Sequence, residues 1–137
     1  MKEKDIQRLF GKVINIAGVF ELKLCKGNSL PYNAVKEHQI EALLDISTGK
    51  GLFHKISDVP VSWVKGNRIR GTLAKPFDCF YIKRYPAYIG ICYYKPRQPK
   101  KVYLIDIQIF ISLKIMDDRK SLTEDKANKV SQHIVEV

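Results

Sequence analysis

Glu21 and Lys23 stand two residues apart in the run Gly18-Val19-Phe20-Glu21-Leu22-Lys23-Leu24-Cys25, and a carboxylate beside an ammonium is a pairing that suits phosphodiester hydrolysis. The acid would hold a divalent metal ion, and the cation would place a water or steady the charge that develops on the phosphate. The run reads as a strand over residues 18 to 25. Because strand side chains alternate, Phe20, Leu22 and Leu24 face a core while Glu21 and Lys23 share the opposite side. The plainer reading is a solvated strand face. A Glu-x-Lys triplet is weak by itself: the chain holds a second, Glu124-Asp125-Lys126, at a helix start where the two side chains point apart.

Magnesium keeps several waters and takes one or two carboxylates along with phosphate oxygens, so Glu21 needs an acidic companion. Asp78, in Lys75-Pro76-Phe77-Asp78-Cys79-Phe80, is the best candidate. It is an acid inside an apolar strand, where a lone carboxylate is costly to bury unless a cation neutralises it. Pairing with a Lys or Arg, or capping a turn after Pro76, explains it equally simply. Asp58 precedes Val59-Pro60 and ranks lower, as a turn acid, while Asp106 lies in an alternating strand and is expected to face solvent.

The elements that must position these groups can be read from periodicity. Ile6, Leu9, Phe10, Val13 and Ile14 mark an amphipathic helix over residues 3 to 14. Glu3 falls on its inner stripe and Asp5 beside it. Favourable charge at a helix N-terminus accounts for such an acid, and so does a role in a site. A turn at 26 to 29 follows the first strand, and Asn33 is placed to cap a helix over 34 to 47 that ends before Gly49 and Gly51. Gln39 projects from the middle of that helix's apolar stripe, where an amide must cap nearby backbone or reach a polar site.

A short strand at 52 to 57 leads into a long irregular stretch from 58 to 75. Strands follow at 77 to 82, 87 to 94 and 102 to 111, each rich in aromatic and β-branched residues. The capping box Ser121-Leu122-Thr123-Glu124 announces a helix over 122 to 135. Helix, strand, helix, strand, loop, three strands and helix argue for a mixed sheet flanked by helices, an α/β fold in one domain spanning 1 to 137.

The 137 residues are 45% apolar, enough for one core, and carry 24 Lys and Arg against 14 Asp and Glu, a formal charge of +10. Such an excess favours a polyanionic partner, nucleic acid first. No stretch approaches the roughly 18 continuous apolar residues that span a bilayer, and no apolar signal core follows Met1-Lys2-Glu3-Lys4-Asp5, which points to the cytoplasm. Cys25, Cys79 and Cys92 lack metal-ligand spacing and read as buried thiols, and His38, His54 and His133 read as structural or surface residues. The basic residues gather in two loops: Lys65, Arg68, Arg70 and Lys75 in the first, with Trp63, and Lys95, Arg97, Lys100 and Lys101 in the second. Contacts from such loops to a nucleic-acid backbone bring affinity with little sequence preference. Trp63 serves either to stack on an exposed base or to anchor its loop.

Taken together, Phe20-Glu21-Leu22-Lys23-Leu24, Val35-Lys36-Glu37-His38-Gln39-Ile40-Glu41-Ala42-Leu43, Lys55-Ile56-Ser57-Asp58, Lys75-Pro76-Phe77-Asp78-Cys79-Phe80 and Ser121-Leu122-Thr123-Glu124 resemble the PD-(D/E)xK nuclease superfamily. The likeness is greatest to its Holliday-junction-resolvase-like members from phages and related genomes, and it covers most of the chain. In that family the Glu of the triplet binds the metal, the Lys orients or activates the attacking water, and a helix acid and helix Gln assist. These roles would fall to Glu21, Lys23, Glu3 and Gln39.

The resemblance also implies a restriction-endonuclease-like mixed sheet, Mg²⁺ or Mn²⁺ as cofactor, and four-way or other branched DNA as substrate. It implies a homodimer, no membrane, and the cytoplasm of a prokaryotic or phage-infected cell. One departure stands out. The family's metal-binding Asp precedes the triplet on an adjoining strand, yet residues 11 to 20 contain no acid. Asp78 is expected to replace it, through antiparallel pairing of its strand with the strand of Glu21.

Overall fold

Why a strand carrying two charges is nevertheless covered on both faces follows from how the sheet is assembled. The computed structural model describes residues 1–55, 61–65, 68–73 and 79–137. In chain order these form α1 (Glu3–Val13), β1 (Val19–Cys25), β2 (Ser29–Pro31), a 3-10 turn (Tyr32–Ala34), α2 (Glu37–Ser47), β3 (Leu52–Lys55), β4 (Val61–Lys65) and β5 (Arg68–Leu73). Then come β6 (Cys79–Ile82), β7 (Ala87–Tyr93), β8 (Lys101–Asp106), α3 (Ile107–Met116), β9 (Ser121–Thr123), α4 (Glu124–Val130) and β10 (His133–Glu136).

Among the described residues the main sheet runs β1-β7-β8-β10, with β1 parallel to β7 and the other pairs antiparallel. Parallel neighbours need a crossover, and α2 lies on that path. The sheet is buried on both sides. Leu22, Tyr88, Cys92, Val102 and Leu104 pack with Ile6 and Phe10 of α1. On the other face Cys25, Ala87, Ile89, Ile91, Tyr93, Tyr103 and Ile105 pack with residues of α2, α3 and α4. The result is an α/β domain of three layers, with an open mixed sheet in the middle.

Gly90 makes the close approach of the first of these layers possible. A Cβ there would lie 2.5 Å from Leu22 Cδ2 and 3.1 Å from both Leu104 Cδ2 and Val102 Cγ1. Around the second layer, Tyr32 ties the 3-10 turn to the far end of α3. Its ring sits edge-on to Phe110 with centroids 5.7 Å apart, and its hydroxyl donates to Asp117 Oδ2 at 2.6 Å. Lys126 Nζ stands 3.1 Å from the same oxygen, and the Arg119 N–H donates to Oδ1. The Tyr32 hydroxyl, then Lys126, hold the Asp117 carboxyl below its ordinary value of 3.8.

Several expectations are corrected. The stretch from 58 to 75 is not wholly irregular: β4 and β5 pair antiparallel, Lys65 opposite Arg68, with a bulge at Trp63/Val64. The two-residue Gly66-Asn67 link between β-branched runs is a hairpin signal. The expected strand over 102 to 111 stops at Asp106, whose Oδ1 accepts from the Gln108 N–H at 2.9 Å and caps α3. Burial of Ile107 and Phe110 outweighs the strand preference of this isoleucine-rich run.

The helix expected over 34 to 47 begins only at Glu37, because Tyr32–Ala34 turns to bury Tyr32, so Asn33 caps nothing there. Ser121 does not cap the last helix either. Its hydroxyl accepts from Ser29 Oγ at 2.7 Å within the β2/β9 pair, Thr123 Oγ1 takes the cap, and α4 ends at Val130, leaving His133–Glu136 to join the sheet. Cys79 is exposed, whereas Cys25 and Cys92 are buried, and burial pushes the Cys92 thiol up to about 11.

Two outcomes follow. Gly90→Ala should destabilise the protein by about 1 to 3 kcal/mol in denaturant unfolding, because the added methyl overpacks the α1 face. A folded-state carboxyl held below 3.8 contributes stability that is complete above the unfolded value and lost as pH falls through the folded one. Asp117→Asn should therefore lower stability at neutral pH and flatten its decline below about pH 4, read from thermal melts across pH.

Candidate functional site

Glu21 and Lys23 occupy the face of β1 that α2 and α3 cover, alongside Val19 and opposite Ile89 and Ile91 of β7 in the parallel register. This is no solvated face: the Lys23 side chain is 13% exposed and that of Glu21 27%. A charge so far withdrawn from water must be paired. Lys23 Nζ lies 3.1 Å from Glu21 Oε1, and Gln39 Nε2 donates to that same oxygen at 2.8 Å.

Gln39 reaches the strand because α2 crosses it with this residue at its third position. Its orientation is set by the helix itself, since the Lys36 N–H donates to Gln39 Oε1 at 3.0 Å. The amide thus closes the first turn of α2 with its oxygen and holds the acid with its nitrogen. Both sequence alternatives for Gln39, backbone capping and a polar site, hold at once. The capping half was not legible in the spacing, because a capping box calls for Ser or Thr where Lys36 stands and the sequence pointed to Asn33 as the cap.

All of Glu21's partners among the described residues end on Oε1. Among the described residues no fully buried side-chain oxygen or nitrogen lacks a partner, so Oε2, which has none there, is not sealed from solvent. One hard carboxylate oxygen left without a partner among the described residues, beside a largely buried ammonium, suits a divalent cation in its donor chemistry. Among the described residues no three His, Cys, Asp or Glu side chains gather into a metal-binding group. Asp78 and Asp58, the two acids considered as Glu21's companion, lie outside the described residues.

Among the described residues the strand expected to deliver Asp78 does not pair with β1. β6 runs antiparallel to β3, with Lys55 opposite Cys79, and β1 takes β7 as its neighbour. The aromatic and apolar residues of β6 read as a strand of the main sheet, but they serve a separate two-stranded arm, where Phe80 and Tyr81 stay exposed. Glu3 sits on α1, which packs against the opposite face of the sheet through Ile6 and Phe10.

The expected nucleic-acid contacts divide as well. Trp63, Lys65, Arg68 and Arg70 fall on the β4/β5 hairpin, and Lys75 lies outside the described residues. In the second basic segment Lys95 is engaged by Glu124, whose other oxygen accepts from the Tyr103 hydroxyl. Arg97, at φ 62°, and Lys101 are exposed, and Lys100 is half-buried.

No helix of the described residues is long and apolar enough to cross a membrane. No protein family, curated protein or solved structure matches this chain, and the chemistry of the cluster has to be judged from its geometry.

Gln39→Ala removes both bonds of the amide. It should lower stability by about 1 kcal/mol in chemical denaturation, the usual loss for a helix cap. Gln39→Glu should restore the capping acceptor yet set a second carboxylate against Glu21, so recovery of stability with acidification would separate the two bonds.

Proposed function

We propose that this protein is a metal-dependent endonuclease that hydrolyses a DNA phosphodiester, with branched DNA such as a four-way junction as substrate and a homodimer as its working form. The observation that supports this reading is the Glu21 carboxylate, fixed through Oε1 by Lys23 and Gln39 and left without a partner among the described residues at Oε2, on a side chain 27% exposed. A bare surface ion pair would have neither the burial nor the third partner. The formal charge of +10 suits a polyanionic substrate.

Glu21 Oε2, with a second carboxylate from Asp78 or Asp58, would hold the metal. Bound Mg²⁺ or Mn²⁺ supplies polarisation of the phosphoryl oxygen and a lowered pKa for a coordinated water. Lys23 keeps one carboxylate oxygen neutralised, and its ammonium would orient the attacking water or offset the charge of the transition state. Gln39 prevents the carboxylate from turning. In the reaction, water oxygen bonds to phosphorus, the bond to the leaving oxygen breaks, and that oxygen takes up a proton.

Labelled four-way junction and linear duplex, incubated with the protein and Mg²⁺ or Mn²⁺, test the reading. Cleavage by the wild type should fall by about 10²-fold or more in Lys23→Ala and in Glu21→Gln, while Lys23→Ala keeps its fold and its DNA affinity measured in a chelator. An active Lys23→Ala protein overturns the assignment. Binding without cleavage by the wild type would leave a basic nucleic-acid-binding module in its place.

A further inference from the structure

We infer that the outer face of α1 is a second DNA-backbone contact, on the opposite side of the sheet from Glu21. Lys4, Arg8 and Lys12 are all exposed and recur every fourth residue, which aligns them in one row along the helix. Each step rises about 6 Å, so the row follows roughly 12 Å of a backbone that carries one charge per about 3.4 Å of axis in each strand. Among the described residues none of the three is held in an ion pair with an acid. The acids on the same helix are Glu3, on the packed side by the helical repeat, and Asp5, which accepts the Lys2 N–H on Oδ2 and offsets part of the charge of Arg8 and Lys4 without an ion-pair contact.

Gly11 is the second observation, independent of charge. It is exposed, lies within the same face, and a Cβ built on it would meet nothing within 4 Å. The fold has no need of a glycine there, and glycine inside a helix is less favourable than alanine. A bare backbone along the Lys4 edge of the basic row lets a phosphate chain come close to the helix there. An anionic membrane suits the face less well, because the apolar side of α1 that would enter a bilayer is already spent in the core, with Ile6 0% and Phe10 4% exposed.

This contact deepens the nuclease reading and rests on it for DNA as the polyanion; it takes backbone remote from the reacting phosphodiester. The test is a fluorescence-anisotropy titration of four-way junction and duplex in EDTA, between about 50 and 200 mM KCl. The triple variant Lys4→Ala/Arg8→Ala/Lys12→Ala should bind more weakly, with a log-log salt slope shallower by about 3, yet cleave at the wild-type rate when DNA saturates. Gly11→Ala should weaken binding while its melting temperature stays level or rises.

An unchanged salt slope in the triple variant overturns the proposal, as does a Gly11→Ala protein that binds as the wild type does. So does a loss of binding confined to vesicles containing phosphatidylserine or to an acidic peptide, with DNA affinity intact. Failure of the nuclease reading shows separately, as absent cleavage by the wild type in Mg²⁺ while the binding titration in EDTA still distinguishes the variants.

Discussion

A strand that carries charge can be covered on both faces only if each charge finds its counterpart within the cover, and this constraint organises the domain. Lys23 and Glu21 neutralise one another along β1, and the remaining demand of the shared oxygen is met by Gln39 from α2. Apolar side chains at both charged positions would have packed with less difficulty, because the desolvation of a buried ion pair opposes its attraction. The sheet tolerates the pair at its edge strand, where part of each side chain still reaches water. The parallel partnership of β1 and β7 follows the same logic, since the crossover it demands is what brings α2 over the charged face.

Much of this was legible in residue order, and the failures have physical causes. The alternation of Phe20, Leu22 and Leu24 with Glu21 and Lys23 located the strand and the shared face correctly, and Gln39 was conspicuous as an amide in an apolar stripe. What alternation could not convey is that the charged face is covered too. Coverage depends on where a helix some fifteen residues later is laid. The run after Asp106 misled for a different reason: isoleucine and phenylalanine favour strands, but a helix buried over a sheet needs the same residues. A single carboxylate, Asp106, decides between the two by closing the first turn of α3. At the other end, Thr123 rather than Ser121 caps α4 because Ser121 is already engaged by Ser29 across β2 and β9. Which of two hydroxyls caps a helix is settled by the partners available to each, and those partners come from ninety residues away.

The sheet also separates two kinds of charge. Its covered face holds a balanced cluster in which each group is partnered, while the helix on its far side shows solvent a row of cations. Cations of the first kind are fixed in place and change little with salt; those of the second act at a distance and are screened within about 10 Å at moderate ionic strength. The excess of basic residues is therefore not one property of the chain. It is divided between groups that hold the fold, such as Lys126 at Asp117 and Lys95 at Glu124, and groups that are left to meet something else.

Gln39 joins the site to the end of a helix, and helix ends are where native structure opens first. The oxygen that receives the Lys36 N–H and the nitrogen that holds Glu21 belong to one rigid planar amide. When the first turn of α2 unwinds, the carboxylate loses its second partner at the same moment. Amide-proton exchange at the start of that helix is thus a clock for the acid on the neighbouring strand, and the lifetime of the ordered site can be no longer than the interval between two openings of a single turn.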